Sequence, residues 1–66
     1  MIEYLDILEK LKNAGYSSTY LKDNHILSAV TLQNIRSNKP IKLESIDKIC
    51  ELLDCKVEDI IRYRPH

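Results

Sequence analysis

Short runs of apolar residues at helical spacing, each closed by a residue that ends helices, constrain this fold more than any other feature. In the first run the apolar residues are Tyr4, Ile7, Leu8, Leu11 and Ala14. Such spacing places them on one side of a helix. Gly15 follows and can turn left-handed without steric cost. The pattern predicts a first helix that starts at Asp6 or slightly earlier and runs to about Ala14, and Asp6 with Glu9 resembles a capping box.

Serines mark the starts of the next two helices, because a serine hydroxyl can accept a free N–H of the first turn. Ser17 or Ser18 can cap a second helix that Asn24-His25 interrupts, and Ser28 can cap a third. Asn38 can take the left-handed closing position of the third helix, and the proline two residues later prevents its continuation. The apolar residues that can lock the second and third helices together are Leu21, Leu27, Leu32 and Ile35.

A fourth helix and a short fifth turn or helix complete the pattern. The apolar side of the fourth helix consists of Leu43, Ile46, Ile49, Cys50 and Leu53. Asp54-Cys55 breaks the spacing, and the fifth segment contains Val57, Ile60 and Ile61. The chain ends, 2–4 and 61–63, alternate at period two and can pair as a tiny ladder. The fold class that follows is all-α, a compact domain of four or five short helices.

The length and composition indicate one folded domain. The chain has 66 residues, of which 44% are hydrophobic, with one Gly and two Pro. This is a folded composition, and residues 1–66 are enough for a single domain only. A core this small supplies only about 3–5 kcal/mol, so dimerisation or partner binding would be natural reinforcement.

No pattern for catalysis, a metal or a membrane emerges from the sequence. Cys50 and Cys55 are too few for a disulfide framework, and with His25 and His66 they form no zinc spacing, so we expect reduced, mostly buried thiols. No nucleophile elbow, Gly-rich loop or pocketed carboxylate pair is recognisable. No apolar run reaches the length of a membrane span. We expect a cytoplasmic protein that is not an enzyme, with no cofactor, no metal and no small-molecule site.

The middle of the chain, residues 24–43, has no acidic residue, although the whole chain has 10 Lys+Arg and 10 Asp+Glu. It contains the bases Arg36, Lys39 and Lys42 beside the amides Gln33 and Asn34. A basic surface suits a polyanion, and amide side chains beside it can form hydrogen bonds with the edges of bases. The combination indicates DNA as the ligand. Zero net charge argues against a nonspecific coat protein for nucleic acid, but not against a reader with one basic face.

Residues 18–37 meet the requirements of a helix-turn-helix, in which two helices cross over a short turn. The third helix, about 28–37, would turn a polar face outward. The predicted base contacts on that face are Ala29, Val30, Gln33 and Asn34, because the two amides can bond adenine and the two apolar side chains can meet a thymine methyl. The predicted phosphate contacts are Ser17, Ser18, Thr19, Ser28, Arg36, Ser37, Lys39 and Lys42. As alternatives, Gln33 and Asn34 can be ordinary exposed residues, and Arg36 a solvated or scaffold-bound side chain.

Lys42 stands where the fourth helix should be capped. Lysine is a poor cap, and its charge is unfavourable at a helix N-terminus. Either local stability is given up there for a phosphate contact, or the helix starts elsewhere.

From Tyr16 to Ile61 the chain resembles the phage-repressor type of helix-turn-helix, the Cro/Xre family, and is similar to a compact bacterial subgroup of it. The matching elements are Leu21, Leu27-Ser28, Thr31-Leu32, Ile35, Asn38-Lys39-Pro40, Leu43, Ile46, Ile49, Leu52-Leu53 and Asp59-Ile60. The resemblance implies a lambda-repressor-like domain with the third helix in the DNA major groove.

Four positions depart from the family pattern. Ser18 replaces a usual glutamine, Lys22 a usual alanine, Ile26 the usual turn glycine and Asn38 the usual glycine after the third helix. The first change removes a common contact to DNA. The two in the helix-turn segment imply a more open or differently angled helix pair.

Two functions remain open at this stage. The first is a sequence-specific double-stranded DNA-binding transcriptional regulator, a homodimer on two half-sites about 34 Å apart. The second is a helical protein-interaction module on the same fold, antitoxin-like or an accessory regulator, with an exposed apolar patch around Ile2, Ile61 and Tyr63.

Overall fold

The computed structural model describes residues 1–65, and His66, considered above as a metal ligand, lies outside them. The elements in chain order are β1 (Ile2–Tyr4), α1 (Ile7–Asn13), α2 (Ser18–Asp23), α3 (Ala29–Arg36), α4 (Leu43–Leu53), a 3-10 turn (Val57–Asp59) and β2 (Ile61–Tyr63). The predicted class of compact helical domain is therefore confirmed, and the tiny ladder between the chain ends is present as well.

Serine caps begin α2 and α3 as predicted. The Ser17 hydroxyl accepts the Tyr20 N–H at 3.1 Å, and the Ser28 hydroxyl accepts the Thr31 N–H at 3.1 Å. The capping box predicted for α1 is wrong. Asp6 precedes that helix with φ at 52° and makes no side-chain cap bond. A side-chain cap requires an extended backbone, and the left-handed turn at Asp6 leads the chain from β1 into α1 instead.

All four α-helices of the described chain end in the same way. The left-handed residues that close them are Gly15, His25, Asn38 and Asp54, with φ of 96°, 57°, 55° and 49°. In each case the next N–H bonds back to the carbonyl five residues earlier, from Tyr16 to Leu11, Ile26 to Leu21, Lys39 to Asn34 and Cys55 to Cys50. This is the Schellman arrangement. The stops predicted at Gly15 and Asn38 are confirmed.

The turn between α2 and α3 differs from the family pattern by one position. Its left-handed residue is His25, whereas the pattern puts the turn glycine at Ile26. Because His25 makes the turn, Ile26 keeps an ordinary backbone and packs its half-buried side chain against the core. The absence of a turn glycine therefore does not prevent the helix-turn-helix from closing.

The core is built almost entirely from the predicted apolar positions. Its buried members are Ile7, Leu11, Leu21, Leu27, Leu32, Ile35, Ile49 and Ile60. Leu43 is the largest exception, because it is 82% exposed, and Ala14 and Val57 are exposed as well. With 3.6 residues per turn, Leu43 lies about 120° round α4 from the buried Ile49. The prediction that it joins the buried side of that helix was wrong.

The chain ends form an antiparallel ribbon, in which Ile2 pairs with Tyr63, Glu3 with Arg62 and Tyr4 with Ile61. Side chains alternate across a strand, so one face of the ribbon is apolar and the other carries charge. On the charged face Arg62 bonds Glu3, and Arg64 lies 3.3 Å from the same carboxylate. The hydrogen bond from Arg62 lowers the pKa of Glu3 below its ordinary value.

Candidate nucleic-acid interface

The outward side of α3 carries the predicted base-contacting residues. Ala29, Val30 and Gln33 are exposed, Val30 by 69%, while Leu32 and Ile35 on the opposite side are buried. Asn34 is half-buried at the edge of this face. The structure thus brings the four residues together on one surface, with Asn34 at its margin.

Two surface grooves flank α3, one on each side. The α2-side groove has a volume of about 180 Å³ and is lined by Ser18, Thr19, Lys22, Ala29, Leu32 and Arg36. The α4-side groove is larger, about 690 Å³, and is lined by the turn before α3, by α3, by the loop before α4 and by α4. Its polar lining residues are His25, Ser28, Thr31, Asn34, Lys42, Ser45 and Lys48. Each groove is lined by two cations, and no carboxylate within residues 1–65 lines either one.

Arg36 connects the two helices of the helix-turn-helix. Its Nη2 donates to the Ser18 hydroxyl at 3.2 Å. The scaffold role considered for Arg36 is therefore present, but a guanidinium has five N–H donors, and the exposed side chain keeps others for a phosphate. Ser18 replaces the family glutamine and still contributes to this surface, because it orients Arg36.

The hydroxyls predicted to hold phosphates are partly engaged within the protein. Ser17 caps α2, and Ser28 both caps α3 and donates to the Thr31 hydroxyl at 2.9 Å. Ser37 accepts the Gln33 side-chain amide at 3.2 Å. A phosphate at the start of α3 would therefore meet backbone N–H groups more readily than the Ser28 hydroxyl. Thr19 is exposed beside the α2-side groove.

Lys42 is the residue that directly precedes α4. Its backbone is extended, with φ −68° and ψ 149°, and its side chain makes no cap bond. The alternative that the helix starts elsewhere is therefore excluded. Lys42 lines the α4-side groove, while Lys39 is exposed in the loop before it.

We expect Lys42→Ser to stabilise the domain and weaken DNA binding. A serine cap contributes about 0.5–2 kcal/mol, and removing the positive charge relieves its repulsion by the helix dipole. Thermal unfolding should show a higher Tm, and anisotropy titration should show weaker binding to duplex DNA. Glu44→Ala, also in the first turn, is the control that should not weaken binding. Unchanged DNA affinity in Lys42→Ser would contradict the phosphate role.

Lys48 was missed by the sequence interpretation, although it lines the α4-side groove. Its Nζ lies 3.5 Å from the Ile26 carbonyl, next to the helix-turn-helix turn. Lys48 lies outside the acid-free stretch, and its position depends on how α4 packs against the turn. Periodicity within α4 carries no signal of that packing.

Asn38 joins the end of α3 to the ribbon. Its Oδ1 accepts the Tyr4 N–H at 3.2 Å, and its Nδ2 donates to the Ile2 carbonyl at 3.1 Å. These groups form the edge of β1 that faces away from β2. The Tyr4 hydroxyl also donates to the Lys39 carbonyl. Burial raises the pKa of Tyr4, and a backbone hydrogen bond with Ile41 offsets part of that rise.

A comparison with protein-family models decides the family. Residues 6–66 match the model of the Cro/C1-type HTH DNA-binding domain. The chain belongs to this family. The match covers more of the chain than the resemblance seen in the sequence, which extends from Tyr16 to Ile61. No curated protein and no solved structure matches the chain significantly.

The remaining functional predictions concern catalysis, a membrane span and the two cysteines. The family is a non-enzymatic DNA-binding one, in agreement with the interpretation that the chain is not an enzyme. No helix within the described residues is both long and apolar enough to cross a membrane. Cys50 and Cys55 are free and half-buried, somewhat less buried than expected, and burial raises the pKa of Cys50.

Proposed function

We propose that this Cro/C1-type domain is a transcriptional regulator that recognises a specific double-stranded DNA sequence with α3 in the major groove. The observation that supports this most is the arrangement around α3. Its outward face has no acidic residue, and cations lie on both sides, Lys22 and Arg36 on one and Lys42 and Lys48 on the other. A major groove about 12 Å wide admits one helix between two phosphate chains.

Base recognition would come from the centre of the outward face. Gln33 can make paired hydrogen bonds to an adenine, and its contact with Ser37 is exposed and can exchange for one with a base. Val30 and Ala29 would meet thymine methyl groups. Asn34, at the margin of the face, would contact a base on the side of the α4-side groove.

Phosphate contacts would hold the domain in register on the duplex. On the side of α2 the candidates are Ser17, Ser18, Thr19 and Arg36. On the side of α4 they are Ser28, Ser37, Lys39 and Lys42, and we add Lys48 because it lines the α4-side groove. A homodimer would place two such domains on half-sites about 34 Å apart and regulate by occluding a promoter or recruiting a partner to it.

The test is a fluorescence-anisotropy titration against a random-sequence duplex and the duplex upstream of the protein's own gene, at two salt concentrations. We expect tighter binding to the upstream duplex. Affinity should fall steeply with salt, because each neutralised phosphate contributes a slope of about 0.9 in log K against log salt. No binding at low salt would contradict the proposal and favour the protein-interaction module.

We expect Gln33→Ala and Lys39→Ala to have opposite signatures on a duplex selected for tight binding. Gln33→Ala should reduce discrimination against a mutated duplex by about 1–3 kcal/mol, with the salt dependence retained. Lys39→Ala should weaken selected and random duplexes alike and lower the salt slope by about 1. Its backbone contact with Tyr4 is unaffected by the substitution. Two variants with identical profiles would contradict the assigned roles.

A further inference from the structure

An apolar groove lies between the ribbon and the start of α4. It has a volume of about 380 Å³ and is lined by Ile2, Tyr4, Pro40, Ile41, Leu43, Ile46 and Ile61. Its walls are the apolar face of the ribbon on one side, and α4 with its preceding loop on the other. Every lining residue is aliphatic or aromatic, or is proline, so the groove suits an apolar occupant.

Leu43 stands on the rim of this groove with 82% of its surface exposed, and Ile2 on the opposite wall is 52% exposed. An isolated exposed leucine needs no explanation. Here, however, a protruding apolar side chain adjoins an apolar groove of a size to hold one. A surface with both features can bind an identical surface related by a two-fold axis.

We propose that the apolar groove binds a second copy of this chain, with Leu43 of each subunit seated in the groove of the other. The inference rests on the proposed DNA-binding function and assigns the surface of its homodimer. It refines the sequence prediction, which placed the exposed patch on Ile2, Ile61 and Tyr63, because it adds the first turn of α4 and the loop before it.

The position of the groove favours a second copy over an unrelated partner. Pro40 and Ile41 line both this groove and the α4-side groove beside α3, so a subunit docked here would stand alongside the same face of the duplex. The domain measures 36 × 23 × 19 Å. Two copies in contact therefore have centres about 19 Å apart when the shortest axes meet and about 36 Å apart end to end, a range that includes the half-site spacing of about 34 Å.

The ribbon wall of the groove is also fixed to α3. The Asn38 amide holds Ile2 and Tyr4, which are both lining residues of the groove. Subunits joined through this wall would therefore hold their α3 helices in a defined relative orientation. Recognition of two half-sites by one dimer requires such an orientation.

A chain this small would form a dimer at the small end of the size range of specific interfaces. The small end of specific interfaces is below about 1,200 Å² in total, or about 600 Å² per subunit. That is roughly one-eighth of the 4785 Å² accessible surface of this chain. We expect self-association that is measurable at high protein concentration and is reinforced when both subunits bind one duplex.

The experiment is sedimentation equilibrium of the full chain from about 10 µM to 1 mM, with Leu43→Asp as the test variant and Val57→Asp as the control. Val57 is 48% exposed and does not line the groove. We expect wild type and Val57→Asp to dimerise, and Leu43→Asp to dimerise at least 100-fold more weakly, because the change occurs on both subunits. Circular dichroism verifies folding, and Ile2→Asp provides a second variant on the opposite wall.

A wild-type chain that stays monomeric at 1 mM would overturn the inference, as would equal dimerisation of wild type, Leu43→Asp and Ile2→Asp. A random-sequence duplex of about 12 base pairs, too short for two half-sites, separates this failure from that of the proposed function. Binding of this duplex by a monomeric chain would leave the DNA-binding proposal intact. A dimer that fails to bind any duplex would retain the groove assignment and overturn the proposed function.

Discussion

Leu32→Ala should leave most of the protein unfolded at 25 °C, while Val30→Ala, two residues away in α3, should leave its stability nearly unchanged. Leu32 is 3% exposed in the core, and Val30 is 69% exposed. Truncating a buried leucine costs about 2–5 kcal/mol, which is comparable to the roughly 3–5 kcal/mol that a core of this size supplies. Both substitutions remove aliphatic carbon, so the expected difference in stability arises from the direction in which each side chain points from the helix.

Urea and thermal unfolding followed by circular dichroism would measure both stabilities. DNA-binding measurements on the same two variants then distinguish a residue of the core from a residue that contacts bases. Val30→Ala should remain folded and discriminate less well at thymine positions. Leu32→Ala should lose binding to all duplexes together with its structure. If Leu32→Ala kept a wild-type Tm, α3 would not be docked on the core as described. A large loss of stability in Val30→Ala would contradict the placement of Val30 on the outward face of α3.

The helices could be predicted from the sequence because their signals are local. A serine that caps a helix and a residue that closes it act through bonds within a few positions, so Ser28, Gly15 and Asn38 could be assigned correctly and the cap of α2 could be narrowed to Ser17 or Ser18. The tiny ladder was predicted from the alternation at the two chain ends. The buried side and the outward side of α3 could likewise be predicted, from the spacing of its apolar residues.

The failures have a common physical origin in tertiary geometry. Leu43 matched the apolar period of α4, but the packing of that helix leaves its first residue outside the core. Asp6 had the composition of a cap, but the path of the chain from β1 requires a left-handed backbone there. Lys48 could not be assigned to the site, because its place beside the turn depends on the packing of α4.

Asn38 shows why a departure from a family pattern can carry structural information. The family pattern has glycine after the third helix, and the left-handed φ of 55° explains the need for a permissive residue. Asparagine tolerates that backbone and also supplies an amide. The amide provides one acceptor and one donor to the outer edge of β1, whose backbone groups would otherwise bond only to water or to an added strand.

We therefore expect Asn38→Ala to destabilise the domain by roughly 2–5 kcal/mol. Alanine loses two hydrogen bonds worth about 0.5–1.5 kcal/mol each and adds a left-handed penalty of about 1–2 kcal/mol. Asn38→Gly loses the bonds without that penalty, so its free energy of unfolding should lie between those of Asn38→Ala and the wild type. Chemical denaturation of the three proteins gives this order.

Hydrogen exchange at one amide distinguishes the side-chain role of Asn38 from its backbone role. The Tyr4 N–H is bonded to the Asn38 Oδ1 atom, so it should exchange faster in Asn38→Gly and remain protected in Asn38→Asp, which keeps an acceptor oxygen. If Asn38→Gly were more stable than wild type, with the Tyr4 amide equally protected, only the left-handed backbone would matter. The expected result would instead mean that the ribbon and the end of α3 are held together by this side chain, so that displacement of the ribbon would also move α3.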